Sequence, residues 1–503
     1  MATQVALLLH CYQPFRNSRF VTVQPFNSRF SRNGELIPLP DGTPAKNWNK
    51  DITAQCYKPC AEAGLYSRVN FNFGPTLLHW SEQEAKDVYK LVIDSDKRSV
   101  EKYKGHGNAI AQPLNHPILP LTKTKREKDL YVKWAIKDFE KHYKRKPEGM
   151  WLPEAAVCKE TLEVLHENDI KFTVLSPHTA SRIKPVNGDD STWIDIGGGR
   201  IDPSRAYKYF LDDKKEKFIS LFFYDENVGK AMAFSSDGIY NCEHSFIRRL
   251  LHAKDDRREH TQLIHSSTDG ETLGHHHQHA LKPVIDAINL LDSDAGMMAY
   301  KMGLINYGLF LEQNPPTWEA KIFDKTAWSC FHGLKRWGAE EGGHCDCGTG
   351  DSTWRVDLRR AFDVLKEEVD NTFIDLAPNY FKSPQLALED YISVINSPEN
   401  INSFFETHLK NGADIEKAYN LLEMEKFGMF MYTSCAWFHE SPNRIEPFAS
   451  IISANSAVHL LKTFKPKSNI EEKFLDLLSK VNGGVDLYQN AGKINKTGLT
   501  SVA

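Results

Sequence analysis

What the 503-residue sequence lacks narrows its class before any motif is considered. No stretch approaches the ~20 consecutive apolar residues of a membrane helix. Charge of one sign is missing too: 62 Lys and Arg face 66 Asp and Glu, a net −4, which argues against nucleic acid or an anionic membrane as a general partner. There is no internal repeat and no low-complexity tract. Cysteines are few and unpatterned: Cys11, Cys56, Cys60, Cys158, Cys242, Cys330, Cys345, Cys347 and Cys435 make an odd set of nine. That fits free thiols in a reducing compartment better than a disulfide framework. The short apolar run Val5–Leu9 has no basic segment before it and no cleavage pattern after it, so it is read as a first strand rather than a leader. A soluble, cytoplasmic protein is the expectation.

What is present is a strand–helix rhythm. Strands are expected at Val5–Leu9, Asn70–Phe73, Met150–Leu152, Phe172–Leu175, Ile219–Tyr224 and Leu263–Ser266. Amphipathic helices such as Glu82–Ser99, Asp129–Tyr143 and Lys159–Asn168 lie between them. This alternation implies parallel βα units. Thr192–Asp213, rich in Gly, Asp and Pro, is expected to be a loop or hairpin insertion. After Trp318 the pattern turns helical, with segments at Asp357–Asp370, Pro384–Asn396, Ile401–Leu409, Asp414–Gly428 and Pro447–Lys462. Glu471–Val481 follows, then a polar tail expected to fray. The division expected is an α/β domain over 1–318, a helical domain over 319–465, and a terminal helix and tail over 466–503.

Two acidic segments carry the chemistry: Trp151-Leu152-Pro153-Glu154 and Ser267-Thr268-Asp269-Gly270-Glu271. Each ends a short β-like run. In a barrel of alternating strands and helices, residues at the C-terminal strand ends gather over one mouth. Two carboxylates delivered there suit glycosidic bond cleavage, provided one stays ionised and the other protonated. Taken singly, each is more often a turn or helix-cap residue.

The surrounding strings are His10-Cys11-Tyr12-Gln13-Pro14, Asn72-Phe73-Gly74-Pro75-Thr76, Gly105-His106-Gly107-Asn108 and Gln112-Pro113-Leu114-Asn115-His116. Later come Thr268 to His277 and Trp328-Ser329-Cys330-Phe331-His332-Gly333 with Arg336-Trp337. In this order and spacing the chain resembles glycoside hydrolase family 57 over about residues 3–450, in particular the subgroup with an additional C-terminal region. The resemblance implies an α/β fold, an incomplete (β/α)7 barrel followed by a mostly α-helical domain. It also implies a retaining hydrolase or transglycosylase on α-linked glucans or malto-oligosaccharides, without a cofactor. Glu154 falls on the family's nucleophile and Asp269 on its general acid/base. His10, Gln13 and His116 fall in its sugar-binding motifs, and Trp151, just before the nucleophile turn, is expected to contact the sugar as well. Glu271 is expected to contact substrate and to add negative field beside Asp269. His275 or His276 would line the acceptor side, where many members carry an aromatic. Trp328 and Trp337 would stack on glucose. The chain departs from the pattern at Tyr12, where many members have His.

Two other classes compete. A metal-dependent, deacetylase-like hydrolase would use a cluster such as Glu271, His275 and His279, which converge only if they lie on a helix. Cys345-Asp346-Cys347 with His332 and His344 is a second possible cluster, though its C-x-C spacing departs from the usual C-x₂-C. A non-catalytic carbohydrate-binding protein is the third possibility. Neither metal cluster is needed by a two-carboxylate displacement, so no metal is expected in catalysis.

Overall fold

A computed structural model describes residues 3–24, 26, 35–339, 345, 347 and 351–500. It divides into two compact units. The first comprises Met1–Gln13, Trp48–Leu114 and Thr122–Ser329; the second comprises Pro14–Asn47, Asn115–Leu121 and Cys330–Ala503.

The first unit is built around the strand Thr3–Cys11, whose apolar run is buried almost throughout, as a strand covered on both faces must be. On one side it pairs in parallel with Asn70–Phe73, placing His10 opposite Asn72. On the other it pairs in parallel with Gln262–Asp269, placing the same His10 opposite Asp269. Beyond Asn70–Phe73, single parallel bridges link Phe71 to Ala109, Ala111 to Met150 and Gly149 to Phe172. Phe172–Leu175 then pairs in parallel with Phe218–Phe223. Among the described residues seven parallel segments thus succeed one another, and Met302–Leu304 pairs in parallel with Thr3–Val5 beside them. Between Phe218–Phe223 and Gln262–Asp269 no ladder is formed among the described residues, and a single backbone bond from Asp225 to the His265 carbonyl (2.9 Å) spans the gap. The fold is an incomplete (β/α)7 barrel.

Several expectations change in detail. Thr192–Asp213 takes the hairpin rather than the loop alternative: Ile194–Asp195 pairs antiparallel with Ala180–Pro185 and Tyr207–Phe210 with Phe218–Phe223, in a six-stranded sheet that also takes in Trp318–Ile322. The single helix expected at Glu82–Ser99 is two, Pro75–Glu84 and Lys86–Lys102, because Ala85 (φ −140°, ψ 55°) leaves the helical region.

The second unit is helical. Its long helices are Trp354–Leu376, Ile415–Phe430 and Ile445–Phe464. The last is buried on nearly every side, as expected of a central bundle helix. Phe362 packs edge-on against Trp437 (5.7 Å) and stacks on Phe474 (6.1 Å). The segment Pro14–Asn47 is tied in by Phe15 stacked on Phe430 (5.3 Å) and by the Ser456 hydroxyl on the Val21 carbonyl (2.8 Å). The polar tail is a helix, Gly484–Thr500: Leu487, Tyr488 and Ala491 fall on one face and are buried. Among the described residues no helix is long and apolar enough to cross a membrane.

Candidate active site

Register in the barrel places His10, Asn72 and Asp269 side by side at the C-terminal ends of three adjacent strands. The His10 Nδ1 atom lies 3.1 Å from the Asn72 amide nitrogen, which donates in turn to Gln112 Oε1. Burial lowers the His10 pKa to about 4, so the ring is neutral. Its face stacks on Trp151 (5.1 Å), and the Trp328 ring meets both edge-on, 6.3 Å from His10 and 4.9 Å from Trp151.

Glu154 sits in the turn Pro153–Ala155 with left-handed backbone, φ 59° and ψ 20°, and Ala155 follows at φ 46°. A non-glycine residue held there marks strain that the surroundings must hold in place. Those surroundings are visible. Val157 and Thr326 exchange backbone hydrogen bonds (3.0 and 3.3 Å), and the Trp328 N–H donates to the Glu154 carbonyl (2.9 Å). The same short segment supplies two donors to the side chain: Trp328 Nε1–H (3.1 Å) and the Ser329 hydroxyl (2.8 Å) both reach Glu154 Oε2. The carboxylate itself is only partly buried.

Asp269 ends the Gln262–Asp269 strand and is also partly exposed, while its neighbours on both sides are buried. Burial, reinforced by the negative charges of Glu271 and Glu154, pushes its pKa up to about 8. It therefore keeps its proton at neutral pH. The charge of Glu154 is thus felt at Asp269, although 115 residues of sequence separate the two.

Glu271 is a support rather than a sugar contact. It is buried, and its Oε1 accepts from the Tyr12 backbone N–H (3.2 Å), Gln13 Nε2 (3.2 Å) and the Tyr57 hydroxyl. It ties the His10–Gln13 segment to the strand end that bears Asp269. Tyr12, in the position where many relatives have His, is itself packed inward: a Cβ on Gly74 would come within 2.8 Å of its ring. Gln13 is shared between Glu271 and Tyr57 (3.3 Å).

Other expected sugar contacts change role. Trp151 has no exposed surface, so it shapes the floor of the site instead of offering a stacking face. Trp337 is fully buried within the helical unit, where its carbonyl takes the Arg359 Nε–H (2.8 Å). His116 also belongs to that unit. It is buried, its Nδ1 lies 2.6 Å from the Ser434 hydroxyl, and its carbonyl accepts from the Ser434 N–H (2.9 Å). It anchors a loop. Trp328 keeps part of its surface accessible.

The histidine run is a turn and not a helix, which removes the spacing on which the Glu271, His275, His279 cluster depended. The His275 and His276 N–H groups both donate to the Glu271 carbonyl (3.1 and 2.8 Å). The His275 ring lies 2.7 Å from Gln55 Oε1, and His279 bonds the Ser235 hydroxyl (3.0 Å). His276 is exposed beside the strand end. Of the other possible cluster, His344 and Asp346 lie outside the described residues.

Four supports carried little or no local signal. Asn72 and Gln112 lie in notable strings, but only strand register shows them beside His10. Tyr57 acts on Glu271 across 214 residues of sequence. Ser329 could have been suspected only as a neighbour of Trp328.

Residues 6–287 match the family model described as Glycosyl hydrolase family 57, and residues 351–501 match a domain of unknown function, DUF3536. No curated protein is matched. Among solved structures, a novel exo-type maltose-forming amylase from Pyrococcus sp. ST04 is similar with a TM-score of 0.71 at 16% identity, over 95% of this chain and 83% of that one. A branching enzyme from Pyrococcus horikoshii gives 0.55 at 12% identity, over 99% and 95% of the two chains. One from Thermococcus kodakaraensis gives 0.54 at 12%, over 98% and 94%. At such identities the likeness is one of fold.

Proposed function

Since the chain belongs to glycosyl hydrolase family 57, we propose that it cleaves or transfers α-linked glucans by a retaining double displacement, with Glu154 as nucleophile and Asp269 as acid/base. The observation that carries this reading is the contrast between the two carboxylates. Asp269 holds its proton up to a pH of about 8, as a group that must protonate a leaving oxygen should. Glu154 Oε2 faces two hydrogen-bond donors, an arrangement suited to a charged oxygen.

In the first step Glu154 attacks the anomeric carbon while Asp269 delivers its proton to the departing sugar oxygen, giving a covalent glycosyl-enzyme. In the second, ionised Asp269 takes a proton from water or from a sugar hydroxyl, whose oxygen displaces Glu154 and restores the starting configuration. Neutral His10 holds a sugar hydroxyl without adding positive charge beside the nucleophile. Trp328 offers its accessible face to a glucose ring, and His275 and His276 border the acceptor side. The nine free cysteines suit a reducing compartment, and we place the enzyme in the cytoplasm.

Whether water or sugar is the acceptor is decided by product analysis. The protein is incubated with malto-oligosaccharides and α-glucans, with and without added acceptor sugars, and the anomers are followed by NMR. New products should appear first as the α-anomer. A first-formed β-anomer would overturn the mechanism, and no turnover of any α-glucan would favour a non-catalytic binding protein.

A further inference from the structure

The helical unit contains a second cluster of reactive groups that the proposed reaction does not use. Cys330, His332, Cys345 and Cys347 each bring one ligand atom within 4.8 Å of all the others. The Cys330 sulfur lies 3.6 Å from that of Cys345 and 3.9 Å from that of Cys347, and His332 Nδ1 is 3.1 Å from the Cys347 sulfur. A disulfide would need sulfurs about 2.05 Å apart, so these are separate thiols. Four zinc bonds at tetrahedral angles, with Zn–S of about 2.3 Å, put two sulfurs about 3.8 Å apart. The observed spacings bracket that value.

Backbone donors and a cation surround the sulfurs. Backbone N–H groups of His332 and Arg336 face the Cys330 sulfur, and the Cys347 N–H points to the Cys345 sulfur (3.5 Å). Such N–H···S bonds spread the negative charge of coordinated thiolates and orient them. The Arg336 side chain, fixed by the Cys347 carbonyl (2.7 Å), adds a positive charge nearby. Cys330 and Cys345 are buried, Cys347 is half-buried and only His332 is exposed. Three sulfurs and one imidazole are a borderline-soft set, which selects Zn²⁺ over the oxygen-seeking Mg²⁺ and Ca²⁺.

We propose that Cys330, His332, Cys345 and Cys347 form a closed structural zinc site. Four protein ligands leave no position for water or substrate, so the site does not take part in bond cleavage. Its pattern, C-x-H followed by C-x-C, has one-residue gaps in place of the usual two, a weak signal in sequence, and Cys330 joins the cluster only through the fold. The ion would fix the chain directly after Ser329, the residue whose hydroxyl contacts Glu154.

The test uses the full chain. After loading with Zn²⁺ and desalting, elemental analysis should find about one zinc per chain. The Cys345→Ser/Cys347→Ser variant should hold less than a tenth of that, and Cys242→Ser as much as wild type. Because the double variant could fail to fold, the wild-type protein is also loaded with Co²⁺. It should show the intense sulfur-to-metal absorption and the visible bands of a tetrahedral site. Zinc should shield Cys330, Cys345 and Cys347 from alkylation in that same protein, and a chelator should expose them. Wild type without stoichiometric zinc, octahedral Co²⁺ bands, a disulfide among the three cysteines under reducing conditions, or full zinc in the double variant would each overturn the proposal.

Discussion

At the residue scale the site turns on Asp269, which is kept protonated at a cost to the fold. Its pKa in the folded protein, about 8, lies above the about 3.9 of an unfolded Asp. A raised carboxyl favours folding fully below the unfolded value, and that benefit drains away as pH rises toward the folded value. Asn does not ionise and so escapes this loss. Asp269→Asn should therefore match wild type in thermal stability near pH 4, exceed it by a growing margin up to pH 8, and hold that margin beyond. Activity should fall about 10²–10⁴-fold on natural glucans. In wild type the alkaline limb of kcat/KM should lie near pH 8. Melting curves across pH check the first claim; equal melting temperatures at pH 4 and pH 9 would mean that Asp269 is not held protonated. The two carboxylates stand out in the sequence because each closes a strand-like run. The roles of Trp151, His116 and Trp337 were not legible there, because burial is set by partners on other elements, such as Trp328 for Trp151 and Ser434 for His116, and leaves no mark on the local string.

At the scale of elements the decisive feature is the clasp of Thr326–Ser329 on the Glu154 turn. A strand end, a Pro and a left-handed Glu need an outside brace, and that brace comes from a segment more than 170 residues later. Hydrogen bonds to a charged group are worth about 1.5–3 kcal/mol each. Trp328→Phe and Ser329→Ala should thus each lower kcat/KM by about tenfold or more, with a larger loss when combined. The barrel elements far from the clasp keep their packing, so circular dichroism should be unchanged. Steady-state kinetics on one malto-oligosaccharide suffice, and wild-type activity in the double variant would show that the clasp is only structural. Asn70–Phe73 and Phe172–Leu175 were readable to the residue: the first alternates Asn and Phe at the period of a strand, and the second is a continuous apolar and β-branched run. Ala180–Pro185 and Trp318–Ile322 were not: Arg182, Lys184, Glu319 and Lys321 interrupt their apolar pattern, and they are strands because they pair with each other.

For the molecule as a whole, strand–helix alternation sufficed to infer parallel βα units, and the resemblance to the family supplied their closure into a barrel. It did not reveal that Pro14–Asn47 and Asn115–Leu121 cluster with the helical unit, a consequence of long-range packing such as Phe15 on Phe430. The central claim is that this barrel carries out a double displacement through Glu154. Covalent trapping tests it most directly. The Asp269→Asn variant is treated with an α-maltosyl fluoride, whose fluoride leaves without acid assistance, and the protein is digested and analysed by mass spectrometry. The account predicts a maltosyl group on the peptide bearing Glu154, accumulating because no base remains to activate water. A sugar attached to any other carboxylate, or fluoride consumed with inversion and no adduct, would contradict it.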